Sequence, residues 1–349
     1  MNAYGFDNLS LKLIHSYLTD RYQRVRINSC FSSWFRILIG VPLGLGPNLY
    51  NINSNDLFFF VLLDICNFAD DNSPFAVAPN TSCVLNKLEN EAALLLRWIE
   101  NNGFKANPDK FHLVLSEKDL KYSIQVDGYK IKNCSNAKLL GINFDNELTF
   151  NQHIQDLCTK ARKKIHALAR VSNFMTVSQR KTIMHSFISS HFGYCTLVWM
   201  FHSKTLNNKI NKIHERALRI VYKNDASSFE ELLAIDNSFT IHERNIQTLA
   251  IEIYKVINHL SPKIMELIFP LKKEIRYPRE NIFQATNPKT VSWGTNSLSY
   301  LGPKVWSIVP ENIKNLKKLP LFIKNIRTWK PSNCPCRICK PYIAGVGFI

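Results

Sequence analysis

The residues Asn67-Phe68-Ala69-Asp70-Asp71-Asn72-Ser73-Pro74-Phe75 place two adjacent carboxylates between two apolar runs. Upstream lies Leu57-Phe58-Phe59-Phe60-Val61-Leu62-Leu63-Asp64-Ile65-Cys66, and downstream Pro74-Phe75-Ala76-Val77-Ala78. Apolar flanks around polar Asp71-Asn72-Ser73 predict a strand, a tight turn and a second strand. A hairpin tip lets a sheet hold two carboxylates in the open while its flanks are buried. The plainer reading is an exposed turn, because Asp and Asn favour turns through their own backbone hydrogen bonds.

The region before this stretch predicts a short amphipathic helix over Leu9–Leu18. Two strands of one hairpin follow, Arg24–Asn28 and Trp34–Ile39, with their arginines on one side. Leu49–Leu63 reads as a buried helix whose phenylalanine run is core. Beyond the carboxylates, Leu85, Leu88, Ala92, Leu95 and Trp98 form a helical stripe, ended by Asn101-Asn102-Gly103 with Gly103 in the left-handed position. Short strands are expected at Val114-Leu115, Ile124–Val126 and Leu139-Leu140, with a turn at Gly128.

From Leu148 helical patterns take over: His153–Val171, Ser178–Ser190 after the N-cap Thr176, Leu206–Tyr222, Phe229–Ile235 and Ile241–Leu260. Several carry basic residues beside the apolar stripe, as Lys160, Arg162, Lys163, Lys164 and Arg170 do. After Ser261-Pro262, six prolines from Pro270 to Pro320 break the pattern, leaving short helices near Val305 and Ile323.

The 349 residues allow two or three domains, and a 46% apolar fraction indicates a folded protein. The net charge of +17 is unevenly spread. Residues 1–100 carry 7 basic and 9 acidic side chains, leaving 37 and 18 for the remainder, a net of +19. The positive charge therefore follows the carboxylates, which suits a track for a polyanion. The longest apolar run, Leu57–Leu63, is too short to span a bilayer, and the N-terminus lacks a secretory pattern. Nine cysteines, mostly single, read as reduced thiols of an intracellular protein, cytoplasmic or nuclear and not secreted. No H-E-x-x-H spacing or local Ser-His-Asp signature is present. Cys334, Cys336 and Cys339 form C-x-C-x-x-C, three thiolates for Zn²⁺ that lack a fourth ligand; the nearest histidine in sequence is His259.

Phe68-Ala69-Asp70-Asp71 resembles the catalytic box of reverse transcriptases from non-LTR (LINE-like) retrotransposons, and neighbouring segments extend the resemblance. Gly40-Val41-Pro42-Leu43-Gly44-Leu45-Gly46-Pro47 is similar to the family's G-V-P-Q-G-S-x-L-G-P, followed by the hallmark Asn55-Asp56-Leu57. Asn102 to Lys110 resembles G-L-x-x-N-x-x-K, and Lys138-Leu139-Leu140-Gly141-Ile142 the L-L-G primer-grip segment. Tyr4-Gly5-Phe6 through Val25 resembles the region just after the first catalytic box, and Cys334–Cys339 the closing segment of one lineage.

The resemblance implies an α+β fold: a partial polymerase palm, an antiparallel sheet with packed helices, over residues 1–146. It implies a helical thumb-like bundle over 147–260 and an irregular basic region with the Cys cluster over 261–349. It makes Asp70 and Asp71 Mg²⁺ ligands and Lys110 the lysine near the leaving pyrophosphate. Gly40, Val41, Pro42, Gly44, Phe68, Asn107, Leu140 and Gly141 become contacts to nucleotide, template or primer. The partners implied are an RNA template, a DNA primer and dNTP; no membrane is implied, and the oligomeric state is left open. Two departures stand out. The family's first metal-binding aspartate precedes the residue at which this sequence starts, and the box at Gly40 has Leu43 in place of Gln and is two residues short before Leu45. The expectation is a polymerase remnant, inactive alone. The alternatives are a non-catalytic nucleic-acid-binding protein built on the helices from Gln152 onward, or a fragment without function.

Overall fold

A computed structural model describes residues 4–38, 40, 46–116, 121–272, 282–284, 286–288, 290, 294–339, 342–343 and 347–348. The chain divides into two units, residues 1–135 and 136–349.

In the first unit, α1 (Asn8–Leu18) begins at Asp7, whose carboxylate accepts the Ser10 N–H at 2.7 Å. The strands that follow pair differently from expectation. β1 (Tyr22–Gln23) pairs with β4 (Phe35–Arg36), and β2 (Arg26–Ile27) nests inside against β3 (Cys30–Phe31). Asn28, at φ 54°, takes the left-handed backbone that Asn tolerates and folds β2 onto the residues nearest to it. The Arg24 guanidinium lies over the rings of Phe31 and Trp34, 3.9 and 4.6 Å from their centroids.

The single helix expected over Leu49–Leu63 is two pieces, α2 (Gly46–Asn53) and α3 (Leu57–Phe60). Leu57 and Val61, four residues apart on one face, are buried with Trp98. Phe58, Phe59 and Phe60 point elsewhere and are 47%, 84% and 43% exposed, so the phenylalanine run is not core. β5 (Asp64–Phe68) and β6 (Asp71–Phe75) then pair antiparallel, Phe68 opposite Asp71. The turn is Ala69-Asp70, two residues earlier than the sequence placed it, because Ala69 adopts φ 53°. The flanking strands are half-buried to exposed rather than buried.

Helix α4 (Thr81–Asn101) starts at the N-cap Asn80 and stops as expected, with Gly103 at φ 73° and its N–H donating to the Glu100 carbonyl. One face, through Leu85, Leu88 and Leu96, packs on Leu113, Leu115, Ile124 and Val126. β7 (Ser123–Val126) and β8 (Tyr129–Lys132) form a hairpin turning at Asp127-Gly128, both at positive φ, the two-residue geometry that matches strand twist.

The second unit opens with β9 (Asn136–Leu139) and β10 (Ile142–Asp145), joined by Leu140-Gly141. Helices and short helical pieces follow in order: α5 (Asn151–Val171), α6 (Val177–Ile183), α7 (Thr196–Trp199), α8 (Lys204–Tyr222), α9 (Phe229–Asp236), α10 (Ile241–Ile257) and α11 (Lys263–Ile268). Thr176 and Gln179 form a reciprocal capping box at the start of α6. The helix expected to run to Ser190 instead passes at Met184–Ile188 into a π-helical turn and then a 3₁₀ turn. α12 (Leu298–Ser307), α13 (Glu311–Lys314) and α14 (Leu319–Ile326) come after these, and β11 (Tyr342–Ile343) pairs with β12 (Gly347–Phe348).

Two cores serve this unit. One joins α5, α8 and their neighbours around Ile154, Ala161, Ile165, Ile210, Ala217 and Leu218. The other wraps the residues after 260 around α10, with Phe322 stacked on Tyr254 at 4.1 Å. Gly302 is required there, since a Cβ would overlap the Phe269 ring.

The α+β class is observed. Among the described residues the strands form six separate two-stranded antiparallel ladders and no larger sheet. Pro74 has no N–H to offer a further partner beyond β6.

Candidate functional site

The two carboxylates sit on the tightest part of the β5–β6 hairpin. Asp70 is the second turn residue and Asp71 the first residue of β6, both exposed. The turn is braced from within. Asn67 Nδ2 donates to Asn72 Oδ1 at 2.6 Å and to the Ala69 carbonyl at 3.1 Å, and Asn72 Nδ2 reaches the Asp70 carbonyl at 3.4 Å. Phe68, across from Asp71, is 64% exposed. The paired asparagines replace the floor a larger sheet would supply, fixing where the carboxylates leave the backbone.

Three residues outside the motif shape this site. Tyr50 on α2 stands beside the turn: burial first, then the negative charge of Asp70, push its phenol above the ordinary value, against a hydrogen bond with Asn72. Glu91 on α4 is buried, and its Oε2 accepts the N–H groups of Leu62 and Leu63 at 2.7 and 3.3 Å, immediately before β5. Trp98 Nε1 donates to Asp56 Oδ1 at 3.0 Å. Glu91 and Trp98 thus fasten the chain entering the hairpin to α4. Glu91 had a sequence signal: it falls on the apolar stripe, three residues after Leu88 and four before Leu95, where a carboxylate needs a partner.

The other expected residues are distributed as follows. Asn107 is exposed and caps the 3₁₀ turn Pro108–Lys110, its Oδ1 accepting the Asp109 N–H at 3.1 Å. Lys110, exposed at the end of that turn, makes no hydrogen bond or ion pair to Asp70 or Asp71. Gly40 has φ 94°, and its carbonyl accepts from Arg21 Nη2. Val41, Pro42 and Gly44 lie outside the described residues. Leu140 and Gly141 belong to the second unit, at φ 46° and 86°, where Tyr194 donates its hydroxyl to the Leu140 carbonyl at 2.8 Å. Cys334, Cys336 and Cys339 do come together, and His242, the first-turn residue of α10, joins them. His259 lies apart, 3.4 Å from Glu266.

The basic residues also gather. Lys160, Arg162, Lys163, Lys164 and Arg170 on α5 are exposed, as are Lys209, Lys212 and Arg216 on α8. Burial raises the Cys158 thiol, and the charges of Arg162 on α5 and Lys209 on α8 oppose that shift. Arg219 is neutralised by Glu215 at 2.6 Å.

As oxygen donors, Asp70 and Asp71 fit a hard divalent cation such as Mg²⁺, which commonly takes one or two carboxylates and completes its shell with water or phosphate. Among the described residues no third carboxylate or histidine joins them in a ligand group.

Comparison with known proteins finds several similar proteins. The chain is 26% identical over 229 residues to the probable RNA-directed DNA polymerase from transposon BS of Drosophila melanogaster, covering 60% of this chain and 25% of that protein. It is 25% identical over 225 residues to the RNA-directed DNA polymerase from mobile element jockey of the same species, covering 59% and 24%. It is 24% identical over 177 residues to a Pol polyprotein from type-1 retrotransposable element R1 2 of Nasonia vitripennis, covering 46% and 43%. No family model and no solved structure matches. Among the described residues no helix is long and apolar enough to cross a membrane. The chain spans about a quarter of the length of the first of these relatives. It is a relative of the RNA-directed DNA polymerases of non-LTR retrotransposons.

Proposed function

We propose that this chain carries part of a reverse-transcription machinery: the metal-binding hairpin of a polymerase palm, followed by helices that grip a primer–template duplex. The observation that supports it most is the braced Ala69-Asp70 turn, which exposes two consecutive carboxylate residues on a hairpin anchored by Glu91. In phosphoryl transfer, bound Mg²⁺ stabilises the attacking and leaving oxygens. Asp70 and Asp71 would hold such an ion, Lys110 would meet the departing pyrophosphate, and the exposed Leu140-Gly141 turn would lie against the primer. The α5–α8 face would bind backbone phosphates without reading sequence. A two-metal centre needs a further bridging carboxylate, which the described residues near Asp70 do not provide. The chain by itself is therefore expected to bind one ion weakly and not to extend a primer.

Mn²⁺, as a paramagnetic substitute, tests this directly. Titration followed by electron paramagnetic resonance should give weak binding that Asp70→Ala abolishes. Equal binding by the variant would remove the hairpin from the reading. A second reading, a nucleic-acid-binding module independent of the carboxylates, draws on the exposed basic residues of α5 and α8. It predicts duplex binding that falls with salt and survives Asp70→Ala. Under it, Lys163→Glu with Lys212→Glu would lower the log–log salt slope by about 2, near one for each phosphate that is no longer neutralised.

A further inference from the structure

The strongest unassigned cluster lies far from the carboxylate hairpin in sequence. Cys334, Cys336, Cys339 and His242 present one donor atom each, all within 4.8 Å of one another. Cys334, Cys336 and His242 are buried and Cys339 is exposed. From these positions we propose a structural Zn²⁺ site of the Cys₃His type, which joins the segment after α14 to the start of α10.

The geometry suits that ion. Zinc bonds of about 2.3 Å to sulfur and 2.0 Å to nitrogen imply a tetrahedron with donor–donor edges of about 3.5–3.8 Å. His242 Nε2 already stands 3.3 Å from Cys336 Sγ. The Cys339 N–H donates to the Cys336 carbonyl at 3.1 Å, the tight turn that lets a C-x-x-C pair face one point. His242 rises from the first turn of α10, whose N-terminus is fixed by the Thr240–Glu243 capping box, so the fourth donor comes from a rigid element.

Charge is balanced as well. Binding displaces three S–H protons to solvent and leaves zinc in its 2+ state, so three thiolates and a neutral imidazole give the site a net charge of −1. The Arg337 guanidinium supplies the counter-charge. Adjacent in sequence to Cys336, it is held in place by donating to the carbonyls of Phe201 and His202 at 2.7 and 3.1 Å. The metal would thereby fasten the start of α10 to the Cys-containing loop, and Arg337 ties that loop to the residues after α7. Three sulfurs with one imidazole in a closed tetrahedral shell favour zinc over a harder or redox-active ion, and leave no position open for catalysis.

The three cysteines were legible in the sequence, but the fourth ligand was not, because His242 precedes Cys336 by 94 positions. Its role is independent of the polymerase reading, since it requires neither Asp70 nor nucleic acid.

Elemental analysis of the full chain, purified without chelator, is expected to give one zinc per chain. His242→Gln and Cys336→Ser should each lower retained zinc by about tenfold or more, whereas Cys339→His, which keeps a ligand, should retain it. Because a buried substitution can also unfold the chain, two measurements use the unaltered protein. Co²⁺ exchanged into the site should show tetrahedral bands with thiolate charge transfer from three sulfurs. The exposed Cys339 should resist alkylation with zinc bound and react after chelation, while exposed Cys83 reacts in both states. A folded chain without zinc, with Cys339 equally reactive before and after chelation, would overturn the proposal. So would zinc retained in full by a folded His242→Gln variant, which would place the metal on cysteines alone.

Discussion

Replacing Glu91 by alanine should loosen the carboxylate hairpin while leaving the rest of the first unit folded. The Glu91 carboxylate accepts two backbone N–H groups, from Leu62 at 2.7 Å and Leu63 at 3.3 Å. A hydrogen bond to a charged group contributes about 1.5–3 kcal/mol net. The longer bond counts at or below the low end, so together they contribute roughly 2–4 kcal/mol. Trp98 still holds Asp56, and Leu57 and Val61 remain buried against it, so the loss falls on local opening. At about 1.4 kcal/mol per tenfold, amide protection at Leu62, Leu63 and across β5–β6 should drop roughly 30- to 1,000-fold in native hydrogen exchange. Glu91→Gln, which keeps one acceptor oxygen, should lose about half as much free energy. The helix supplies its own control. Glu89, two residues earlier, accepts the Gln125 N–H of β7 at 2.7 Å. Glu89→Ala should therefore deprotect β7–β8 and spare β5–β6. If Glu91→Ala lowered protection of β5–β6 by less than about threefold, or if both variants affected the same hairpin, the clamp would be refuted.

Three other outcomes can be checked independently. Burial, ahead of the nearby charges, holds the His214 imidazole down at about 3, so below pH 6.5 the unfolded chain binds a proton that the folded chain refuses. Stability is thus fully present above 6.5 and lost as pH falls, by about 2 kcal/mol at pH 5 from this group alone. His214→Phe should flatten that part of the pH dependence in urea titrations, and an unchanged slope would refute it. Leu140 occupies φ 46° while 41% exposed, so Leu140→Asn, suited to a two-residue Asn-Gly turn, should stabilise β9–β10 by about 1 kcal/mol. If that turn meets a primer, duplex affinity should fall as melting temperature rises; a gain in stability with unaltered affinity would remove Leu140 from the interface. Phe322 is fully buried between Tyr254 and Trp306, and Phe322→Ala should cost about 3–5 kcal/mol, with chemical denaturation as the readout.

Local information carried much of this protein. Helix α4 was legible from its stripe and from Gly103, α5 and α8 from their apolar periodicity, and α6 from Thr176, because caps and stripes are set by residues within a turn or two of each other. Asp70 and Asp71 were legible as paired carboxylates on a hairpin, since a two-residue turn between short strands is also a local event. The phenylalanines of α3 look like core in the sequence and are not, because burial depends on which face meets α4, and apolar character alone does not say. The exact turn, the nested β1–β4 pairing and the break of the helix after Ile183 depended on backbone conformations at Ala69, Asn28 and Met184–Ile188 that composition does not fix. Glu91 was visible as a carboxylate in an apolar stripe, but its partners, Leu62 and Leu63, were not. His242 was beyond reach altogether. Only the packing of α10 against the residues after α14 brings an imidazole to three thiols, and contacts made across that much chain are decided by the folded core rather than by any neighbouring residue.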